Sequence, residues 1–150
     1  MKLLSSAFGN FDSIPVKHTG EGEDISPPLR WQGVPDGTRS LALICEDPDA
    51  PHGTWDHWVL YNIPPSISVL AEGLKQLPHG IQSCRNSWGK TGYGGPNPPS
   101  GNHRYFFTLY ALDTVLQLPE GATKANLINA MRGHTLAEAG LVGTYQRRHG

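Results

Sequence analysis

The sequence predicts a mainly β protein, an antiparallel β-sandwich with one short helix in the C-terminal half. Three observations support this fold class. The 150 residues include 18 glycines and 13 prolines, and both residue types break helices. Short apolar and aromatic runs lie between the turns, and only one segment has the spacing of an amphipathic helix. The length fits a single domain, residues 1–150, whose core is large enough to be stable without disulfides or a structural metal.

The strands are predicted from these apolar runs. The run at residues 40–47, SLALICED, is typical of a strand buried on both faces. Pro15 indicates that the second strand lies at a sheet edge, or that the proline stands near the start of that strand, because proline cannot donate to a neighbouring strand. The predicted strands cover residues 2–8, 14–18, 40–47, 55–63, 102–113 and 137–147.

The helix is predicted at residues 124–132. Thr123 can cap its first turn, and Leu127, Ile128 and Met131 share one face at helical spacing. Residues 66–81 are predicted to be irregular, with a helical turn around Leu70.

Charge and composition exclude several classes of function. Twelve Lys and Arg balance 13 Asp and Glu, so no large basic face for nucleic acid is indicated. No apolar run approaches the ~20 residues of a membrane span, and the one near the start is too short for a signal peptide. Cys45 and Cys84 fit neither a disulfide framework nor a zinc motif. We therefore expect a cytoplasmic protein with reduced thiols, without nucleic-acid or integral membrane contact.

The stretch DPDAP, residues 47–51, follows the buried strand directly and holds two carboxylates between prolines. Such residues are common turn formers, so a turn alone explains them as well as a site does. Alternation along the strands favours the site, because titratable residues fall at the ends of apolar faces. If those ends meet, Asp47, Asp49, His57 and His103 share a cleft, with Trp55 and Tyr105 as walls and the Gly/Pro-rich loop 89–101 as its rim. The three predicted faces are Leu41, Leu43, Cys45 and Asp47; Trp55, His57, Val59, Tyr61 and Ile63; and His103, Tyr105, Phe107, Leu109 and Ala111.

Such a cleft suits a small anion. Protonated imidazoles donate hydrogen bonds, and loop N–H groups of Gly94, Gly95 and Gly101 can form an anion-binding concavity. The carboxylates can accept from the histidine N–H groups or receive a ligand ammonium. The ligand expected is a phosphate monoester or a zwitterion such as phosphoethanolamine, since a bare dianion is repelled unless the acids are already paired.

Two other functions stay open. Asp47, Asp49, His57 and His103 could hold a divalent metal in a hydrolase, although no HxH or HExxH spacing is present. Alternatively, the loop could dock on another protein through an exposed rim that includes Tyr93, Asn97 and Pro98. Exposure of these side chains would favour the docking hypothesis.

Five stretches together resemble a known family: SPPLRW, LALICEDPDAP, WDHWVLYNIP, GYGGPNPPSGNHRYFFTLYALD and GLVGTY. They resemble the phosphatidylethanolamine-binding protein family, in particular its short bacterial branch of Raf kinase inhibitor-like proteins. The resemblance runs from about Phe8 to Arg147 and implies a β-sandwich with an anion pocket at one end. The ligand-binding residues it implies are Asp47, Asp49, Ala50, Pro51, His57, Gly95, Pro98, Pro99, His103 and Tyr105.

The resemblance also carries functional expectations. It implies binding of phosphate-like anions, phospholipid head groups or phosphorylated ligands without catalysis or a cofactor, and regulation of a protein partner such as a kinase. It implies a homodimer and a cis bond between Ala50 and Pro51. Asn97 stands where many bacterial relatives carry cysteine, and no further helix follows the last strand as in eukaryotic members. We therefore expect a shallower pocket, or one covered by a second subunit.

Overall fold

Two β-sheets and one helix make up the computed structural model, which describes residues 1–78 and 80–148. The smaller sheet has three short strands, and the larger sheet has six. The strands are β1 (Lys2–Leu4), β2 (Asp12–Ser13), β3 (Leu29–Gln32), β4 (Ser40–Asp47), β5 (Trp55–Ile63), β6 (Val69–Leu70), β7 (Gln82–Ser83), β8 (Asn102–Leu112) and β9 (Thr135–Gln146). The helix α1 covers Lys124–Met131.

The strand order is β1-β3-β6 in the small sheet and β2-β9-β8-β4-β5-β7 in the large one. All pairings are antiparallel except β2 with β9, where the two-residue β2 runs parallel. The predicted mainly β fold with one helix is therefore confirmed for the residues that the structure describes.

The core lies in two layers, one on each side of the large sheet. Between the sheets, Leu3 and Trp31 pack with Leu43 and Phe107. On the opposite face, α1 covers Ala42, Ile44, Val59 and Tyr61 with Leu127 and Met131. Because β4 packs against both layers, its apolar side chains are buried on both faces, as the sequence predicts.

Several predicted elements differ from those observed. The first strand ends at Leu4, and residues 14–18 are not a strand, since Val16–His18 forms a 3₁₀ turn after Pro15. Residues 66–81 contain no helical turn at Leu70, because Val69–Leu70 pairs with β3. On α1, Ile128 is 39% exposed and does not join the core. Pro15 accounts for the missing second strand, because a proline cannot donate to a ladder, and the two-residue β6 is too short to leave a pattern in the sequence.

Two bulges in β5 break the predicted alternation of its faces. Cys45 pairs with Trp58 and Glu46 with Asp56, so His57 is an extra residue on β5. A second irregularity precedes Ile63, where Asn62 has a φ of 56°. Trp58 and Leu60 consequently face the core between the sheets, and Val59 and Tyr61 face α1. The predicted single face with His57, Val59 and Tyr61 in line is therefore wrong.

No helix among the described residues is long and apolar enough to cross a membrane.

Candidate functional site

A cavity of about 570 Å³ opens where β4, β5 and β8 meet the loops beside them. Its size falls within the usual range for small-ligand sites. It brings together eight of the ten residues implied by the family resemblance, and leaves out Asp49 and Gly95. The lining residues are Asp47, Ala50, Pro51, His52, Gly53, Thr54, Trp55, His57, Ser87, Trp88, Asn97, Pro98, Pro99, His103 and Tyr105.

Asp47 and His103 form a buried pair in this cavity. Asp47 is the last residue of β4 and His103 is the second residue of β8, and Nδ1 of His103 lies 2.6 Å from Oδ2 of Asp47. A carboxylate can only accept here, so Nδ1 carries the proton and donates it. The other carboxylate oxygen accepts from the backbone N–H of Asp49 at 2.8 Å, which holds the turn of DPDAP. The predicted contact between an acid and a histidine is thus present, and it leaves Nε2 of His103 for the cavity.

His57 reaches the same cavity because of the first bulge in β5. Regular alternation from Trp58 would direct His57 to the α1 side of the sheet. Its ring instead packs edge-on against Tyr105 and Trp88, with centroids 5.2 and 5.1 Å away. Nδ1 of His57 lies 2.6 Å from the carbonyl oxygen of Gly94. The partner that orients this imidazole is therefore a backbone carbonyl and not one of the predicted carboxylates.

Burial lowers the pKa of His57 below its usual range. The hydrogen bond to Gly94 and the nearby carboxylates of Asp47, Asp56 and Asp24 act in the opposite direction, but burial outweighs them. Burial also raises the pKa of Tyr105, which therefore stays an uncharged phenol beside the two imidazoles.

Asp49 lies outside the cavity and is bound to Arg104. Its carboxylate accepts from Nε, from Nη2 and from the backbone N–H of Arg104, at 2.8 to 2.9 Å. These bonds lower the pKa of Asp49 to about 2. The prediction that Asp49 shares the cleft is wrong. Arg104 is exposed on β8, and its guanidinium binds the Asp49 carboxylate outside the cavity.

The Gly/Pro-rich loop 89–101 is fastened to the rest of the fold by its backbone. Gly94 N–H donates to the carbonyl of His57, and Gly95 N–H donates to Oδ1 of Asp24 at 2.7 Å. Gly20 N–H donates to the carbonyl of Pro96. The N–H groups of Gly94 and Gly95 therefore do not form the predicted anion-binding concavity, and Gly101 does not line the cavity. Glycine is required at residue 95, because a Cβ there would collide with the carbonyl oxygen of His18.

The predicted exposed rim of this loop is only partly present. Asn97 is exposed, but Pro98 is buried and lines the cavity. Tyr93 is partly buried, packs edge-on against Trp58, and donates its hydroxyl to the carbonyl of His18 at 2.6 Å. The structure thus leaves one of the three side chains of the docking hypothesis exposed.

The aromatic wall extends beyond the predicted residues. Trp55 lines the cavity as predicted, but Trp88 was missed although it packs edge-on against both Trp55 and His57. A tryptophan directly before a Gly-rich loop was the signal in the sequence. Gly94 permits the close approach of Trp88, since a Cβ on Gly94 would overlap the indole ring.

The peptide bond between Ala50 and Pro51 is trans, since the described residues contain no cis peptide. The cis bond implied by the resemblance is therefore absent. Residues 50–53 form a turn in the trans form, with the N–H of Gly53 donating to the carbonyl of Ala50.

The four residues of the hydrolase alternative do not converge on a common point. Asp49 is held by Arg104, and the Nδ1 atoms of His57 and His103 are bound to Gly94 and Asp47. Among residues 1–78 and 80–148 no three His, Cys, Asp or Glu side chains are grouped to hold a metal ion. The geometry therefore gives no support to a metal-dependent hydrolase.

A second ionic cluster lies behind the cavity, on the α1 side of the same strands. Glu46 and Asp56 are opposite each other on β4 and β5. Nζ of Lys124, the first residue of α1, lies 2.7 Å from a carboxylate oxygen of each. These two contacts raise the pKa of Lys124 although its burial alone would lower it. The cluster ties α1 to the strand ends that carry Asp47 and His57 on the other face.

The fold and the cavity define the chain as a β-sandwich ligand-binding protein, and comparison with known proteins identifies its family. The model of the phosphatidylethanolamine-binding protein family matches residues 4–146. A UPF0098 protein of Methanothermobacter thermautotrophicus is 53% identical over 150 residues, covering 98% of this chain and 99% of its own. The chain belongs to the phosphatidylethanolamine-binding protein family.

Solved structures agree with this assignment. A phosphatidylethanolamine-binding protein homologue from Chlamydia trachomatis superposes with a TM-score of 0.92 at 45% identity, covering 97% of each chain. Escherichia coli YbcL, described as a member of the mammalian family, superposes with a TM-score of 0.91 at 31% identity, covering 98% of each chain. The family resemblance read from the sequence is therefore confirmed.

Proposed function

We propose that the cavity binds a small phosphorylated or zwitterionic ligand, such as phosphate or phosphoethanolamine, without catalysing a reaction on it. The observation that carries this proposal is the Asp47–His103 pair, which opens into the same cavity as His57. When His103 is protonated, its Nε2 donates into the cavity while Asp47 balances its charge.

Pairing of the acids supports an anionic ligand. The carboxylate of Asp47 is in contact with His103, and that of Asp49 is neutralised by Arg104 outside the cavity. The repulsion that two free carboxylates would exert on an anion is therefore reduced. Tyr105, Asn97, Ser87 and Thr54 add side chains that can donate hydrogen bonds along the wall.

The absence of a reaction is proposed from the family, which is one of binding proteins. A regulated protein partner, for which a kinase is the family's example, remains part of the proposal, as does a homodimer in the cytoplasm. The exposed Asn97 at the cavity mouth is the residue through which occupancy could be sensed.

The test is an NMR titration of the ring signals of His57 and His103. Inorganic phosphate and phosphoethanolamine are added in separate titrations at about pH 6 and about pH 8, after metal chelation. We expect both rings to shift saturably, with tighter binding at the lower pH. Equal affinity at both pH values contradicts the proposal, and a response only after zinc is added favours the hydrolase alternative.

A further inference from the structure

The hydrogen bond of His57 determines which of its ring nitrogens carries a proton. A backbone carbonyl only accepts, so the 2.6 Å contact with Gly94 requires a proton on Nδ1. No described residue is recorded as a hydrogen-bond partner of Nε2, and the side chain lines the cavity. A ligand in the cavity therefore meets His57 at Nε2.

The charge state of His57 then decides what Nε2 can do. The charged groups that face this ring are carboxylates: Asp47 from β4, Asp56 from β5 and Asp24 from the segment before β3. Tyr105 and Trp88 cover it with uncharged rings. Burial outweighs the carboxylates and lowers the pKa of His57, so the ring is neutral near neutral pH. A neutral imidazole with its proton on Nδ1 presents only a lone pair at Nε2.

We propose that His57 selects oxyanions that carry an acidic proton, because its Nε2 accepts a hydrogen bond from the ligand's own O–H. The cavity then takes the monoprotonated form of phosphate or of a phosphomonoester. It discriminates against sulfate, sulfonates and phosphodiesters, none of which carries such a proton near neutral pH. This inference rests on the proposed anion binding and names the class of anion bound.

The expected discrimination follows from the cost of an unmade hydrogen bond. An oxygen without a proton would direct its lone pairs at those of Nε2 on a buried imidazole. Sites built to hydrogen-bond a ligand group reject analogues that lack it, and one unmatched buried group changes affinity about tenfold to a hundredfold. Phosphomonoesters gain and lose this proton with a pKa of about 6, so both forms are available near neutral pH.

The first experiment compares two ligands of the same shape and charge. At about pH 6, methylphosphonate is a monoanion with one O–H, and methanesulfonate is a monoanion with none. We expect methanesulfonate to bind at least about tenfold more weakly in calorimetric titrations at matched ionic strength. Equal affinity for the two overturns the inference and leaves the proposed anion binding intact. Failure of both to bind overturns the proposed function as well.

A second arm separates the two sources of a phosphate group. Glycerophosphoethanolamine, the diester of a lipid head group, is titrated beside phosphoethanolamine, the monoester. We expect the monoester to bind at least about tenfold more tightly. A diester that binds as tightly as the monoester overturns the inference and indicates a lipid head group as the ligand.

A third measurement needs no ligand. In protein labelled with ¹⁵N-histidine, long-range ¹H–¹⁵N spectra at about pH 7 report the tautomer of each ring. We expect His57 to carry its proton on Nδ1, with the chemical shift of an unprotonated nitrogen at Nε2. A proton on Nε2 overturns the inference whatever the titrations show.

The matched variants are His57→Gln and Asp113→Asn. The glutamine amide can present either its oxygen or its NH₂, so the methylphosphonate to methanesulfonate affinity ratio should fall close to one. Asp113 belongs to a surface pair with His134, and its variant should keep the wild-type ratio. Retention of the wild-type ratio in His57→Gln overturns the inference. If His57→Gln does not fold, the inference is tested by the affinity ratio of the wild-type protein and by the tautomer of His57.

Discussion

The two faces of the large sheet carry different kinds of ionic cluster at the same strand ends. On the α1 side, the ammonium of Lys124 contacts the carboxylates of Glu46 and Asp56, each at 2.7 Å. On the cavity side, one residue further along each strand, Asp47 meets His103, and His57 leaves one nitrogen open. The first cluster brings opposite charges into direct contact, whereas the second leaves a histidine nitrogen open to the cavity. Strand alternation and one bulge thus separate charges that stabilise the fold from charges that are available to a ligand.

The largest effect is expected from breaking the cluster on the α1 side. Lys124→Met leaves Glu46 and Asp56 as like charges directly opposite each other on neighbouring strands. Because these side chains are largely buried, we expect the free energy of unfolding to fall by about 2 kcal/mol in urea titrations.

The control is Lys17→Met, which removes an exposed ion pair with Glu72 and should leave the free energy of unfolding nearly unchanged. Adding Glu46→Gln and Asp56→Asn to the Lys124 variant should recover most of the loss, because no carboxylate repulsion then remains. Equal losses for Lys17→Met and Lys124→Met would contradict the assignment of a stabilising role to this cluster.

The next effect is on binding. Asp47→Asn keeps the shape of the side chain but removes the charge that balances a protonated His103. We expect phosphate affinity at about pH 6 to fall about tenfold, equivalent to about 1.4 kcal/mol, in an NMR titration. Asp113→Asn offers a matched control, since Asp113 pairs with His134 at 2.8 Å on the surface. Comparable losses in the two variants would mean that the effect is one of general charge and not of the cavity.

The smallest effect concerns Asp49, which lies beside the cavity. Its carboxylate is in contact with the guanidinium of Arg104, just as Glu46 and Asp56 on the α1 side are in contact with Lys124. Its folded pKa of about 2 is below the ~3.9 of an unfolded aspartate. Its bonds to Arg104 therefore stabilise the fold above about pH 4, and this contribution is lost as the pH falls toward 2. Because the pair is partly exposed, Asp49→Asn should cost less than about 1 kcal/mol at pH 7. In urea titrations, the difference in the free energy of unfolding between Asp49→Asn and wild type should be smaller near pH 2 than at pH 7. The same difference at both pH values would contradict the assigned pKa.

The candidate site illustrates which predictions succeed. Asp47 and His103 were placed correctly, because each lies near one end of a strand whose side chains alternate regularly between the two faces of the sheet. His57 was placed in the correct cavity by the wrong reasoning, since the bulge that turns it there has no signature in the pattern of β5. Asp49 was misplaced because two acids in a turn do not reveal which one finds an external arginine. Trp88 was missed because its neighbours lie far away in the chain.

The sequence by itself determined the local features: the bounds of β4 and β5, a helix beginning at Lys124, and the family to which the chain belongs. These depend on apolar periodicity, caps and turn residues within a few positions of one another. Only the tertiary structure decided the bulge at His57, the pairing of Asp49 with Arg104, and the proton on Nδ1 of His57. That proton follows from a carbonyl 37 residues away, and neither propensity nor periodicity records a contact at such a separation. The chemistry offered to a ligand was therefore decided by packing, after local sequence had determined the strands that carry it.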